Sequence, residues 1–319
     1  MRETKKFEWD VSQVKSVFVH SISPDIKVVR NTERKVSLEV ELSGFKKDIE
    51  DYEPKVKKEG ERFELDLFPH SPFFPDGFFA FGFMKFGGLE IESVHLQIPD
   101  DLLMGIDTTS GYISIKGLSL EELRISSISG EIEIDSKVKS LFVKTTSGNL
   151  NFRGSSRIEK IDVQSISGDL EFSNPSFRWG IVKTTSSDIR IMRMDPDFET
   201  LDVRTISGDF SISFTSRPNT HVEIDTVSGD IRSDVKVKGI LKGSFDIGRP
   251  SSTLKFKSIS GDAHLEFGSE KIADEKEDER MKIFEDILKS KRATKDEIKE
   301  LMETLGYNRE KIEEFLSGK

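Results

Sequence analysis

Seven acidic side chains recur at one place in a repeated phrase, and of all residues in the chain they are best placed to do chemistry. Asp169, Asp209, Asp230 and Asp262 follow Ser-Gly directly, and Asp188 follows Ser-Ser. Glu131 and Asp25 stand at the matching place in two further copies. Stacked one above another, Asp169, Asp188, Asp209, Asp230 and Asp262 would form a carboxylate ladder able to hold a row of cations. Ca²⁺ takes about six to eight converging oxygens, and calcium-binding β-rolls use nonapeptide repeats far shorter than this one. Asp also suits a tight corner on its own account, because it accepts hydrogen bonds from nearby backbone N–H groups. At ~5 Å in water two carboxylates repel by only about 0.8 kcal/mol, so the ladder is tolerable without an ion. The corner role is the simpler reading, and no cofactor is expected.

Other reactive combinations are sparse. His20, His70, His95, His221 and His264 form no i,i+4 pair and no HExxH motif, which argues against zinc. No Ser lies in a G-x-S-x-G elbow. The chain has no Cys, which excludes thiolate catalysis, disulfides and Cys-type zinc sites. Arg190 and Arg232 share an outward position with Glu133, Glu171 and His264. A polysaccharide-cleaving β-helix would need clustered acids and bases on one face, but mixed charge of this kind is the ordinary solvated surface. Outward aromatics that could stack on a sugar are few, Phe142 and Tyr112 among them. The expectation is therefore a non-enzyme, with a carbohydrate-binding or carbohydrate-cleaving β-helix as the alternative.

The elements that position the Asp ladder are legible in the same phrase. In Leu201–Ile212, LDVRTISGDFSI, apolar and polar residues alternate up to Ser207, Gly208 breaks the run, and alternation resumes at Phe210. Period-2 alternation marks a strand with one buried face, and a mid-run Gly marks a bend. The Ser recurs at 110, 129, 147, 167, 186, 207, 228 and 260, with spacings of 19, 18, 20, 19, 21, 21 and 32. Six and four residues before it stand mainly aliphatic columns, such as Leu123, Leu141, Ile161 and Leu201, or Ile125, Val143, Val163 and Val203. Two before it the column is only Thr or Ser. A fixed period near twenty means a solenoid, since one unit cannot bury its own apolar face. The fold class expected is all-β: a single-stranded parallel β-helix, with ~19–21 residues per coil, and a small α-helical C-terminal module. The last gap, longer than the rest, must hold an insertion.

Along the chain, Val17–Val28 is the same phrase with Pro24 in place of Gly, which puts a first coil near 15–30. A capping insert is expected over 31–100, with strand-like 36–42, 62–68 and 91–98, and repeat coils over 101–268. Within the insert, 68–88 holds eight Phe in 21 residues among Pro and Gly, a composition opposed to helix and to central strand. It reads either as an aromatic lid on the first coil or as an exposed apolar loop presenting Phe73, Phe74, Phe78, Phe79, Phe81, Phe83 and Phe86 to a partner. Lys85 is its only base, so peripheral membrane contact is disfavoured relative to self-association. Residues 1–268 are thus the solenoid. Residues 269–319 read as a helical module carrying Phe284, Leu288, Leu301 and Phe315, with a capping box at Thr294 and Glu297.

With 33% charged residues, a net charge of −10 and no apolar h-region at Met1–Asp10, the chain reads as acidic, cytoplasmic and free of nucleic acid.

The segments Val94–Ile115, the S-I-S-G-D/E copies and Gly243–Phe267 (GSFDIGRPSSTLKFKSISGDAHLEF) together resemble the bacterial putative adhesin family of domains of unknown function. That resemblance covers about 15–267 and implies a β-helical fold with no established catalytic residues. Ile287–Gly306 resembles a SHOCT-like helical module, which implies oligomerisation or membrane-protein partners. Some cytoplasmic relatives are tied to envelope stress. The function expected is an interaction scaffold that self-associates or binds a protein through the Phe-rich loop and the C-terminal helices.

Overall fold

Each repeat lays down two strands joined at the Ser-Gly corner. In the Ser207 copy they are Thr200–Arg204 and Phe210–Phe214, with Leu201, Val203, Thr205, Phe210 and Ile212 buried. A computed structural model describes residues 1–68, 89–235, 242–268 and residue 299. The chain divides into two units, Met1–Gly268 and Ser269–Lys319, and every described strand belongs to the first. The expected C-terminal helices, with Phe284, Leu288, Leu301 and Phe315, lie outside the described residues, as does the Phe-rich stretch from Pro69 to Gly88.

The first unit is all-β, an open and solenoid-like sheet of 22 strands. Copies stack as parallel rungs on both sides of the corner. Before it, Leu123 pairs with Leu141, Leu141 with Ile161, Ile161 with Gly180, and Gly180 with Leu201. After it, Ile132, Leu150, Leu170, Ile189 and Phe210 pair in succession. These are the columns of the alignment, and they form one continuous core. The single Gly in the aliphatic column has a cause: a Cβ on Gly180 would lie 2.6 Å from the Phe177 ring, which fills that space. Rungs cannot go unstacked, because each strand pair has apolar residues on one face only.

Two features depart from simple stacking in sequence order. The first repeat, Ser16–His20 with Asp25–Arg30, lies between Arg62–Asp66 with Glu90–Ile98 on one side and Leu103–Thr108 with the start of Ile113–Ser127 on the other. The last two repeats are exchanged. Thr200–Arg204 pairs with Ser252–Ser260, and Ser252–Ser260 then pairs with Thr220–Ser228. The C-terminal copy thus fills a rung that the chain skipped on its way to Thr220.

Both ends are closed by antiparallel strands, which cover the edge hydrogen-bonding groups that would otherwise template aggregation. Lys242–Ile247, inside the expected insertion, runs antiparallel to Thr220–Ser228. At the other end Lys35–Ser43 runs antiparallel to Glu90–Ile98, and Arg2–Asp10 to Lys35–Ser43. This first strand precedes the coil expected near 15–30 and was not itself expected. Phe7 stacks on Trp9 at 5.9 Å and Trp9 meets Phe63 at 5.6 Å, and these rings hold it in place. The polar stretch near 50 contains a short helix, Lys46–Glu50, that buries Ile49.

Candidate functional site

The Ser-Gly corner is where the repeat concentrates its polar side chains, and the geometry there is dictated by close approach of successive rungs. A Cβ on Gly130 would sit 2.1 Å from the Gly111 carbonyl oxygen, and one on Gly148 2.1 Å from that of Gly130. Gly130 also has φ +118°, a conformation that L side chains rarely adopt. Glycine is therefore required twice over.

Around this corner many of the hydroxyls and carboxylates are bonded to backbone, although Ser21 Oγ and Ser258 Oγ are buried without a partner. Ser127 Oγ donates to the Ser129 carbonyl at 2.9 Å and Ser165 Oγ to that of Ser167 at 3.0 Å. The corner Ser residues reach the rung before: Ser147 Oγ donates to the Ile128 carbonyl at 3.2 Å. The inward Thr/Ser column thus serves the bent backbone more than it serves neighbouring rungs, though Thr184 does donate to Thr205 at 3.0 Å. The bonds of Ser127, Ser165 and Thr184 satisfy buried groups that would otherwise be costly.

The acidic ladder has the same logic. Asp188 Oδ1 accepts the Asp209 N–H at 3.0 Å, Asp209 Oδ1 accepts the Asp262 N–H at 2.9 Å, and Asp262 Oδ1 accepts the Asp230 N–H at 2.8 Å. Asn149 does this for Asp169 and Asp25 for Tyr112. The sequence-predicted ladder is thus brought together, in the order 169, 188, 209, 262, 230. The carboxylates of Asp188, Asp209 and Asp262 each cap the next rung's amide. Among the described residues no group of three or more His, Cys, Asp or Glu is arranged to hold a metal ion.

The outward column beyond it is also assembled: Glu171 lies beside Arg190, Ser211 beside His264, and His264 beside Arg232. Arg190, Ser211, Arg232 and His264, with Asp188, Asp209 and Asp262, line an open depression of about 320 Å³. Arg190 lies 3.8 Å from Asp169 and 3.6 Å from Asp188, so it bridges two rungs. Further along the column, the Lys116 ammonium and the Tyr112 hydroxyl hold the Glu133 carboxyl below its usual range.

A second depression was not legible in the alternation. It is lined by Phe18, Gly105, Arg124, Phe142 and Lys144 among others. Gly105 gives room to Phe18, since a Cβ there would lie 2.4 Å from the ring. The signal was present in the columns, where Phe18, Gly105, Arg124 and Phe142 share one outward position. Their ring faces are occupied by cations: Arg62 lies 3.9 Å over Phe18, and Arg124 and Lys160 lie 5.0 and 5.2 Å over Phe142. A sugar would have to displace those groups to stack there.

No helix among the described residues is long and apolar enough to cross a membrane. No protein of curated function matches the chain. Solved structures are similar to the chain at low identity. A "putative adhesin" from Parabacteroides distasonis is 12% identical with a TM-score of 0.51, covering 82% of this chain and 97% of its own. A "putative adhesin" from Bacteroides fragilis is 14% identical at a TM-score of 0.43, with 82% and 97% covered. A "putative lipid binding protein" from Parabacteroides distasonis is 14% identical at 0.35, with 83% and 95% covered. The family model described as Toastrack DUF4097 matches residues 14–293, and the chain belongs to that family.

Proposed function

We propose that the chain is a non-enzymatic binding scaffold. The corner ladder carries this reading: Asp188, Asp209 and Asp262, among the best candidates for chemistry, accept backbone amides of neighbouring rungs, and Ser147 donates to a neighbouring carbonyl. A carboxylate fixed in that way is a structural acceptor rather than a free base or nucleophile.

Assembly through the Phe-rich stretch and the C-terminal segment is the finer part of the proposal. Arg62–Asp66 and Glu90–Ile98 pair with the two strands of the first repeat, so the described chain before and after 69–88 lies beside the corner of that repeat. Multi-angle light scattering of the full chain tests the proposal. We expect an oligomer, reduced in mass when Phe73, Phe74, Phe78 and Phe79 become Ser, and again when Phe284, Leu288, Leu301 and Phe315 become Ser. A chain whose mass ignores both sets of changes would overturn it. A cytoplasmic setting belongs to the same proposal, and fractionation of cells with a C-terminally tagged chain tests it.

A further inference from the structure

One line of exposed side chains runs the length of the solenoid and is used by none of the foregoing. Directly before each corner Ser stands a residue that points out from the edge. In spatial order this column reads Ile22, Thr109, Ile128, Thr146, Ile166, Thr185, Ile206, Ile259 and Val227. Each rung is tied to the next by the amide of the following Ser or, for the last, by the pairing of Ser228 with Ser260. Among the described residues nine large hydrophobics are exposed, and five of them, Ile22, Ile166, Ile206, Ile259 and Val227, fall on this one line. Four of those five are between 49% and 74% exposed. Scattered surface aliphatics need no explanation, but a straight file on a rigid edge does.

Charge flanks the file asymmetrically. On one side, three residues before the corner Ser, Lys183, Arg204 and Lys257 occupy three consecutive rungs. On the other side those same rungs carry Asp188, Asp209 and Asp262. Lys183 and Lys257 have no ion-pair partner among the described residues, and Arg204 pairs only with Asp202 on its own strand. Over these three rungs the edge carries a basic, an apolar and an acidic rail side by side, while Asp107 and Asp225 stand in the basic column nearer its two ends.

We infer that this edge is the interface of a two-fold homodimer whose solenoids run parallel. When two such edges face each other about a two-fold along the solenoid axis, the basic rail of each copy lies opposite the acidic rail of the other. A two-fold perpendicular to the axis would set base against base and acid against acid. Charge complementarity thus selects the parallel arrangement, and like-charge juxtaposition rejects the antiparallel one. In the parallel arrangement each aliphatic residue meets its own copy. Nine rungs at ~4.8 Å span roughly 38 Å, which offers on the order of 500 Å² per partner, near the low end for specific interfaces. The dimer is accordingly a weak one, favoured at high protein concentration and low salt. None of the residues of this interface belongs to the Phe-rich stretch or to the C-terminal segment.

The absence of native Cys makes the test direct. Ile206→Cys in the full chain places one thiol at the centre of the file. Under mild oxidation at about 0.1 mM protein it should link to its own copy, as should Ile22→Cys and Val227→Cys each tested alone. Mixing differently tagged Ile22→Cys and Val227→Cys chains should give no mixed product. Adding Lys183→Glu and Lys257→Glu should lower the Ile206→Cys link by about tenfold, since four attractive pairings become repulsive. The Phe→Ser changes at 73, 74, 78 and 79 should leave that link intact, which separates failure here from failure of the proposed assembly. A dominant mixed product between the Ile22→Cys and Val227→Cys chains would overturn the inference, as would a link insensitive to the charge reversal. An Ile206→Cys chain whose thiol neither links nor reacts with maleimide would also overturn it, since something else would then cover the file.

Discussion

Ser207 pairs in parallel with Ser260, and Ser260 pairs on its other side with Ser228. The last repeat is thus inserted between the two that precede it in sequence. The chain passes from Phe210–Phe214 to Thr220–Ser228 across a rung it leaves empty, then returns through Ser252–Ser260 and Ala263–Glu266 to fill it. Contacts of such wide sequence separation close late in folding, because loop entropy is lost before they form.

Phe256 lies in that inserted rung, buried and stacked on Phe210 with centroids 5.2 Å apart. Phe256→Ala should cost about 3–5 kcal/mol, the usual range for emptying a buried aromatic site. Loss should spread outward only. By hydrogen exchange, Thr220–Ser228 should lose protection together with Ser252–Ser260, while Arg157–Ser165 keeps its own. Equal loss at both places would mean that the inserted rung does not anchor the terminal one.

The corner glycines give a second, steric prediction. Gly130→Ala would force a Cβ against the Gly111 carbonyl oxygen at 2.1 Å, and backbone cannot yield there without moving the neighbouring rung. Gly117 also has positive φ, at +71°, but nothing lies within 4 Å of its Cβ position. In urea denaturation Gly117→Ala should cost about 1 kcal/mol, the conformational share alone. Gly130→Ala should cost at least twice that or fail to fold. Similar costs at the two positions would refute the close-approach argument.

Tyr52 carries a pH prediction. Its hydroxyl is buried and donates to the Leu67 carbonyl at 3.1 Å. Burial, aided by nearby Asp66, pushes the phenol well above its ordinary range. The folded state therefore holds this proton where the unfolded chain, with an ordinary phenol near about 10, has released it. The stability linked to this group is fully present below pH ~10 and declines as pH rises above it. Tyr52→Phe should lose about 1–2 kcal/mol at neutral pH, because the Leu67 carbonyl is left without its donor. Thermal melts across pH 8 to 11 should show a gentler alkaline decline for the variant than for the parent; the opposite order would contradict the burial argument.

Much of this was legible because identical columns must stack in register. Leu201 and Leu254, Val203 and Phe256, and Phe210 and Ala263 fall in shared columns when the repeats are aligned on the Ser, and each pair lies opposite in the fold. What alignment cannot yield is the order of rungs, since Ile224 and Phe256 both fit beside Val203. Two hints existed: the long final gap, and a small Ala263 that leaves room beside Phe210. The first strand was hidden because charges fill Arg2–Lys6 and only Phe7 and Trp9 alternate. Phe18 and Gly105 were hidden because an outward glycine signals space only once its neighbour's ring is known.

Asp209 decides between the two roles its column can play. Its Oδ1 accepts the Asp262 N–H at 2.9 Å, and asparagine presents an oxygen in the same place. If the carboxylate acts as a cap, Asp209→Asn should change stability by less than about 0.5 kcal/mol. Asp209→Ala should cost about 1 kcal/mol or more, since it strands an amide at a rung junction. A cation ladder would behave otherwise. Charge would matter more than shape, Asn would be as harmful as Ala, and millimolar Ca²⁺ would raise the melting temperature of the parent alone. The expected result is Asn near the parent, Ala well below it, and melting temperatures of all three unmoved by Ca²⁺. The bond from Asp209 to Asp262 runs to a fixed backbone amide, and holding rungs together requires only that acceptor.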